Sequence, residues 1–135
     1  SHILYGLWQN FEDIKKSDSV IVVESEKSVM KLYSYGYFNA VAIGGHQLSK
    51  IQVEKLSRLG VSEIIICYDE DAYRDKETGK IIKKDYKTEV SNFVSQQKVS
   101  IMIDETRELL KEKESPADNQ EIFETMFKKR IVVNH

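Results

Sequence analysis

The chain has 135 residues with 20 basic and 22 acidic side chains, a formal charge of −2, and a length that suits one domain and leaves little room for a second. With 41% apolar residues, one proline, six glycines and a single cysteine, disordered, collagen-like, low-complexity and disulfide- or zinc-stapled classes are excluded. The near-neutral balance also excludes nucleic-acid binding by bulk electrostatics alone, so any such binding must be local.

The lone cysteine predicts a reducing, cytoplasmic setting. No apolar run approaches the ~20 residues of a membrane span, and neither a signal peptide nor a membrane partner is expected. Ser1-His2 has the look of an expression-tag remnant, which leaves 3–135 as a single domain.

In chain order, Leu7 to Lys16 predicts a leading helix. Val20-Ile21-Val22-Val23 is continuous and β-branched rather than alternating, the mark of a strand covered on both faces, as in a parallel sheet. Ser25 caps a helix carrying Val29, Met30, Leu32 and Tyr33 that stops near Gly36. A second run, Val41-Ala42-Ile43, leads into Gly44-Gly45. Ser49 with Gln52 three residues later is a capping box; it opens a helix bearing Ile51, Leu56 and Leu59, which Gly60 is placed to end. The third run is Ile64-Ile65-Ile66-Cys67, with Cys67 a small core residue. A helix is expected from about Tyr86 to Gln96 with Val90, Phe93 and Val94 inward. A fourth run, Val99 to Ile103, and a trailing helix from Asn119 to Lys129 follow. This alternation predicts an α/β fold: a small, mostly parallel sheet of about four strands, flanked by helices on both faces and joined by right-handed crossovers.

Charge is segregated. Ala72 to Lys87 holds six basic residues against three acids, whereas Asp104 to Glu124 holds eight acids against three bases. The first segment contains Thr78-Gly79 and few apolar residues, so it reads as a long basic loop or hairpin, a length usually tied to function or mobility.

Ligands of open parallel sheets bind beyond the carboxyl ends of the strands. Two predicted strands end there in carboxylates: the first runs into Glu24, the third through Tyr68 into Asp69-Glu70-Asp71. In extended chain Asp69 and Asp71 share a face while Glu70 turns away. Such oxygens repel one another unless a cation holds them, and they suit Mg2+ or Mn2+. Taken singly, an Asp-x-Asp is a turn starter and Glu24 a cap or surface residue; together at strand ends of one small domain they point to a metal site. Gly44-Gly45 allows either a plain turn or a close backbone approach to an anion. His46 beside them reads as a surface residue, with phosphate contact or a base as the functional alternative.

These residues resemble the TOPRIM domain, a Rossmann-like fold shared by bacterial and phage DNA primases, topoisomerases and some nucleases. The likeness lies in Val20-Ile21-Val22-Val23-Glu24, in Ile64 to Asp71, and most specifically in Tyr35 to Ser49, which is similar to the primase pattern around Asn39-Ala40-Val41-Ala42. Leu4-Tyr5-Gly6-Leu7 and Lys113 to Asn119 resemble flanking primase motifs. Departures are Ser25 and Ser28, where many primases carry glycine and aspartate, and Ala72-Tyr73 leading into the basic segment. They mark a divergent, phage-like member.

The resemblance implies the metal-dependent nucleotidyltransferase domain of a longer DNA primase, making RNA primers on single-stranded DNA from ribonucleoside triphosphates. A replicative helicase is a possible partner, and the isolated fragment is expected to be inactive. Asp69 and Asp71 would hold Mg2+ or Mn2+, and Glu24 would complete the site or accept the proton of the attacking hydroxyl. Lys27, Gly44, Gly45, Arg74, Lys83, Lys84 and Lys87 would engage nucleotide or template, and Asp118 would approach the same edge. The alternatives are a nuclease or topoisomerase domain of this fold, or a non-catalytic domain binding nucleotides or a partner.

Overall fold

A computed structural model describes residues 2–93 and 97–134. Among them the strands β1 (Ser19–Val23), β2 (Ala40–Ala42), β3 (Glu63–Ile66), β4 (Lys98–Ile101) and β5 (Ile131–Val132) form one sheet in the order β2-β1-β3-β4-β5. The first four are mutually parallel and β5 is antiparallel to β4. The continuous apolar runs are thus buried on both faces, as their sequence requires. The fifth, short edge strand has no counterpart in the four expected runs.

Alternate side chains of each central strand feed two cores. Val20, Val22, Ile64 and Ile66 pack with Ile14 of α1 (Leu7–Ser17), Val53 and Leu56 of α3 (Lys50–Ser57), and Tyr86 and Val90 of α4 (Lys83–Val90). On the opposite face Ile21, Val23 and Ile65 pack with Val29 and Leu32 of α2 (Glu26–Ser34) and with Phe123 and Met126 of α5 (Gln120–Lys128). Helices therefore cover both faces. Cys67 is fully buried, and burial pushes its thiol far above the ordinary range, so it is an inert core residue.

Local chemistry explains the boundaries. The Ser25 hydroxyl accepts the Ser28 N–H at the start of α2. At α3 the Ser49 hydroxyl accepts the Gln52 N–H at 3.1 Å while Gln52 Oε1 accepts the Ser49 N–H at 3.0 Å, the reciprocal capping box.

The region expected as one long basic loop is shorter and more ordered. Asp75 Oδ1 accepts the N–H groups of Glu77 and Thr78, both at 2.9 Å, and Arg74 pairs with Ile81 in an antiparallel bridge. Helix α4 then begins at Lys83, three residues before the expected start, so Lys83, Lys84 and Lys87 are helical rather than loop residues. Of the expected helix end, Val94 and Gln96 lie outside the described residues.

Candidate metal and nucleotide site

Parallel pairing of β1 with β3, with Val22 opposite Ile66, brings the carboxyl ends of these neighbouring strands together. Glu24 leaves β1 nearly buried. Its Oε2 accepts the Asp69 N–H at 2.7 Å, and its Oε1 lies 3.1 Å from His46 Nδ1. One carboxylate thus joins the ends of β1 and β3 to the glycine turn after β2. The turn is itself tied down, because the Gly44 N–H donates to the Glu24 carbonyl at 2.9 Å.

Asp69 is half-buried, and its carboxyl is pushed up to about 7, first by burial, then by the charge of Glu24 and a hydrogen bond with it, and further by Asp71 and Asp118. Crowded negative charge of this kind at an oxygen-lined edge is the chemistry a hard divalent cation satisfies. Among the described residues no three His, Cys, Asp or Glu side chains are grouped so that they could hold a metal ion. A cation here would therefore complete its shell with water or phosphate oxygens, as Mg2+ commonly does.

Glu24, His46 and Asp71 line a cavity of about 700 Å³ whose far wall is α4, with Lys84 and Lys76 at its edge. Of the basic residues expected to meet phosphate, Lys84 and Arg74 line this cavity, and Lys76, not among them, lines it too. Lys83 and Lys87 are exposed on α4 and Lys27 is exposed on α2, all three outside that lining. Arg74 departs from expectation. Its side chain is only 4% exposed, Nε lies 2.8 Å from the buried Glu70 carboxylate, and Nη1 donates to the Gly79 carbonyl at 2.9 Å. Its donors are spent inside the fold, so it serves structure rather than phosphate. Asp118 adds the smallest of the charges that raise the Asp69 pKa, while it ion-pairs with Lys31 at 2.6 Å and accepts the Ser115 N–H at 3.0 Å.

Gly44 and Gly45 play different parts. Gly44 has φ +70, and a Cβ there would meet the Tyr5 ring at 2.9 Å, whereas Gly45 is open. Because the Gly44 N–H is already donated, Gly45 is the one left able to approach an anion. Gly44→Ala is expected to cost about 1–2 kcal/mol in backbone strain, plus displacement of Tyr5. A chemical denaturation midpoint would check this, with Gly45→Ala as the mild control.

Two supports escape a sequence reading. Glu70 turns inward to Arg74 and Arg107, accepts the Lys113 N–H at 3.2 Å, and its own N–H donates to the Glu114 carbonyl at 2.8 Å. Glu89 on α4 accepts the Leu48 N–H at 3.2 Å and the hydroxyls of Tyr68 and Tyr73, binding α4 to the segments on either side of the acidic edge. The spacing of Glu70 and Arg74, four apart, signals the first; nothing local signals the second.

The Toprim domain family model matches residues 18–96. A DNA primase of Legionella pneumophila is 39% identical over 72 residues, which is 53% of this chain and 12% of that protein. The SPbeta prophage-derived uncharacterized protein YorJ of Bacillus subtilis is 30% identical over 146 aligned positions, covering 96% of this chain and 37% of that protein. Among solved structures, the Aquifex aeolicus primase (zinc binding and RNA polymerase domains) has a TM-score of 0.68 at 25% identity, over 95% of this chain and 30% of that one. A primase catalytic domain bound to single-stranded DNA has a TM-score of 0.67 at 22% identity, over 96% of this chain and 39% of that one, a likeness of fold alone. The chain spans well under half the length of each. Among the described residues no helix is long and apolar enough to cross a membrane.

Proposed function

The chain belongs to the Toprim domain family and shares that domain with DNA primases, and from that premise we propose that it is the metal-dependent nucleotidyl-transferring domain of a longer primase. Its main support is the convergence of Glu24 and Asp69 at the ends of adjacent parallel strands, joined by a 2.7 Å hydrogen bond, with Asp71 on the same cavity as Glu24. Single-stranded DNA as template and ribonucleoside triphosphates as substrates are part of this reading.

Asp69 and Asp71 would hold Mg2+ or Mn2+. When bound, the ion supplies charge neutralisation to the substrate phosphates. Primer extension joins a 3′ hydroxyl to the α-phosphate of an incoming nucleotide and releases pyrophosphate. Lys84 and Lys76, on the rim facing the acidic edge, would attract and orient the triphosphate. Gly45 offers a close backbone approach to it. Glu24 completes the ion's surroundings or accepts the hydroxyl proton. Glu89, through Leu48, Tyr68 and Tyr73, holds the two walls at fixed separation, which is the positioning that phosphoryl transfer chiefly demands.

Titrating the chain with a ribonucleoside triphosphate, with and without Mn2+, tests the reading. Ion-dependent binding, weakened by Lys84→Ala and by Asp71→Ala, is expected, together with intact labelled single-stranded DNA after incubation with Mn2+. Strand cleavage would favour a nuclease instead, and ion-independent or absent nucleotide binding would overturn the proposal.

A further inference from the structure

The large cavity has two chemically different ends, set by what meets α4 at each. At the start of the helix the Ile82 N–H donates to the Tyr73 carbonyl and Arg74 bridges Ile81, so Lys84 stands next to the segment that carries Asp71 and Lys76. At the other end the Leu48 N–H donates to the Glu89 carboxylate at 3.2 Å, which brings Gln47 alongside Asn92, three residues beyond Glu89. Lys84, Thr88 and Asn92 recur every four residues and all line the cavity, so they form one stripe along its wall. About 12 Å of helical rise separates the first from the last. The Thr88 hydroxyl is already donated to the Lys84 carbonyl at 2.8 Å. The Gln47 and Asn92 side-chain amides are exposed and have no hydrogen-bond partner among the described residues. One end of the cavity is thus charged, and the other presents two free, neutral carboxamides.

We propose that Gln47 and Asn92 bind the ribose of the incoming nucleotide and select it by its 2′-hydroxyl. The inference rests on the nucleotide reading made above and adds to it the residues that read the sugar. With the triphosphate at the Lys84 and Lys76 end, the nucleoside reaches the amide end. In a templated reaction the base is chosen by its pairing partner, so contacts there must serve all four nucleotides, and the sugar is what those share. A hydroxyl both donates and accepts, and a carboxamide supplies a partner for each role, whereas a lysine only donates and a carboxylate only accepts. The 3′-hydroxyl is common to ribo- and deoxynucleotides, so discrimination falls to the 2′-hydroxyl, the group that separates RNA from DNA. A site that hydrogen-bonds a hydroxyl disfavours the analogue lacking it. Both amides are exposed, so water repairs part of the loss and the preference is about fivefold.

Equilibrium titration of the full chain, Gln47→Met and Asn92→Leu with ATP, UTP and their 2′-deoxy forms, Mn2+ present throughout, decides the matter. The parent is expected to bind both ribonucleotides about fivefold more tightly than their deoxy forms. In each variant the ribonucleotides weaken towards the deoxy forms, while the deoxy forms and inorganic triphosphate stay within about twofold of the parent. Equal affinity of the parent for ribo and deoxy forms overturns the proposal and leaves the nucleotide site standing. So does a variant that weakens both forms in parallel. A preference seen with ATP but not with UTP means that the amides read the base, which overturns it too. If the parent binds neither nucleotide nor triphosphate, the nucleotide reading itself falls, and this inference with it.

Discussion

Glu70→Ala is expected to destabilise the fold by about 3–5 kcal/mol, the usual effect of breaking a buried ion pair by removing one partner. The Glu70 side chain is 0% exposed and meets Arg74, itself 4% exposed, at 2.8 Å, as well as Arg107. Without the carboxylate, the Arg74 guanidinium stays buried with only the carbonyl oxygens of Glu70, Gly79 and Asp104 as main partners. The Lys113 N–H loses its acceptor as well. Because Glu70 sits between Asp69 and Asp71, the loss also loosens the acidic edge, so divalent-ion affinity falls with stability. Urea denaturation measures the first effect and ion titration the second. The paired replacement Glu70→Leu with Arg74→Met is expected to cost less than Glu70→Ala alone, since no buried charge is stranded. A Glu70→Ala protein as stable as its parent would show that Arg74 is solvated rather than buried.

Asp69→Asn is expected to stabilise the ion-free protein at about pH 8 while removing its response to Mg2+ or Mn2+. Burial, with the nearby charge of Glu24, Asp71 and Asp118, raises the folded-state pKa of Asp69 from 3.8 to about 7. An acid whose pKa rises on folding binds its proton more tightly in the native state. Its contribution to stability is therefore fully present below about pH 4 and is lost as pH rises through about 7. Asp69 is half-exposed, so solvent screening reduces the penalty at neutral pH to about 1–2 kcal/mol. The asparagine variant lacks that penalty. Thermal unfolding across pH is expected to show the two proteins diverging from about pH 4 upward, with the gap reaching its full size above about pH 7 and the variant the more stable. Saturating Mn2+ closes the gap by stabilising the parent alone, because the ion supplies the positive charge the ionised carboxylate lacks. Parallel pH profiles would mean that Asp69 ionises freely, without crowding.

The fold was largely legible because its central strands announce themselves. Val20 to Val23 and Ile64 to Cys67 are continuous apolar runs, and only a strand buried on both faces tolerates them; Glu24 and Asp69 stand out because they end those runs. Strand β5, two exposed residues long at Ile131–Val132, has no periodicity to read. Its pairing with β4 depends on a chain reversal that only tertiary structure reveals. Arg74 was indistinguishable from its basic neighbours in composition. What separates it is a buried carboxylate one turn away together with Gly79 and Asp104, and Asp104 is thirty positions on. His46 carried no signal beyond its glycine neighbours, since its contact with Glu24 spans two strands. Local patterning thus located the acidic edge. The residues that support it act through long-range burial, which no sequence window contains.

Calorimetric titration of the full chain with Mg2+ and with Mn2+, set beside the Asp69→Ala, Asp71→Ala double variant, is the most direct test of the acidic edge as a metal centre. Saturable binding by the parent is predicted, with none by the variant and an unchanged circular dichroism spectrum for both. Equal ion affinity in the two proteins would contradict the account.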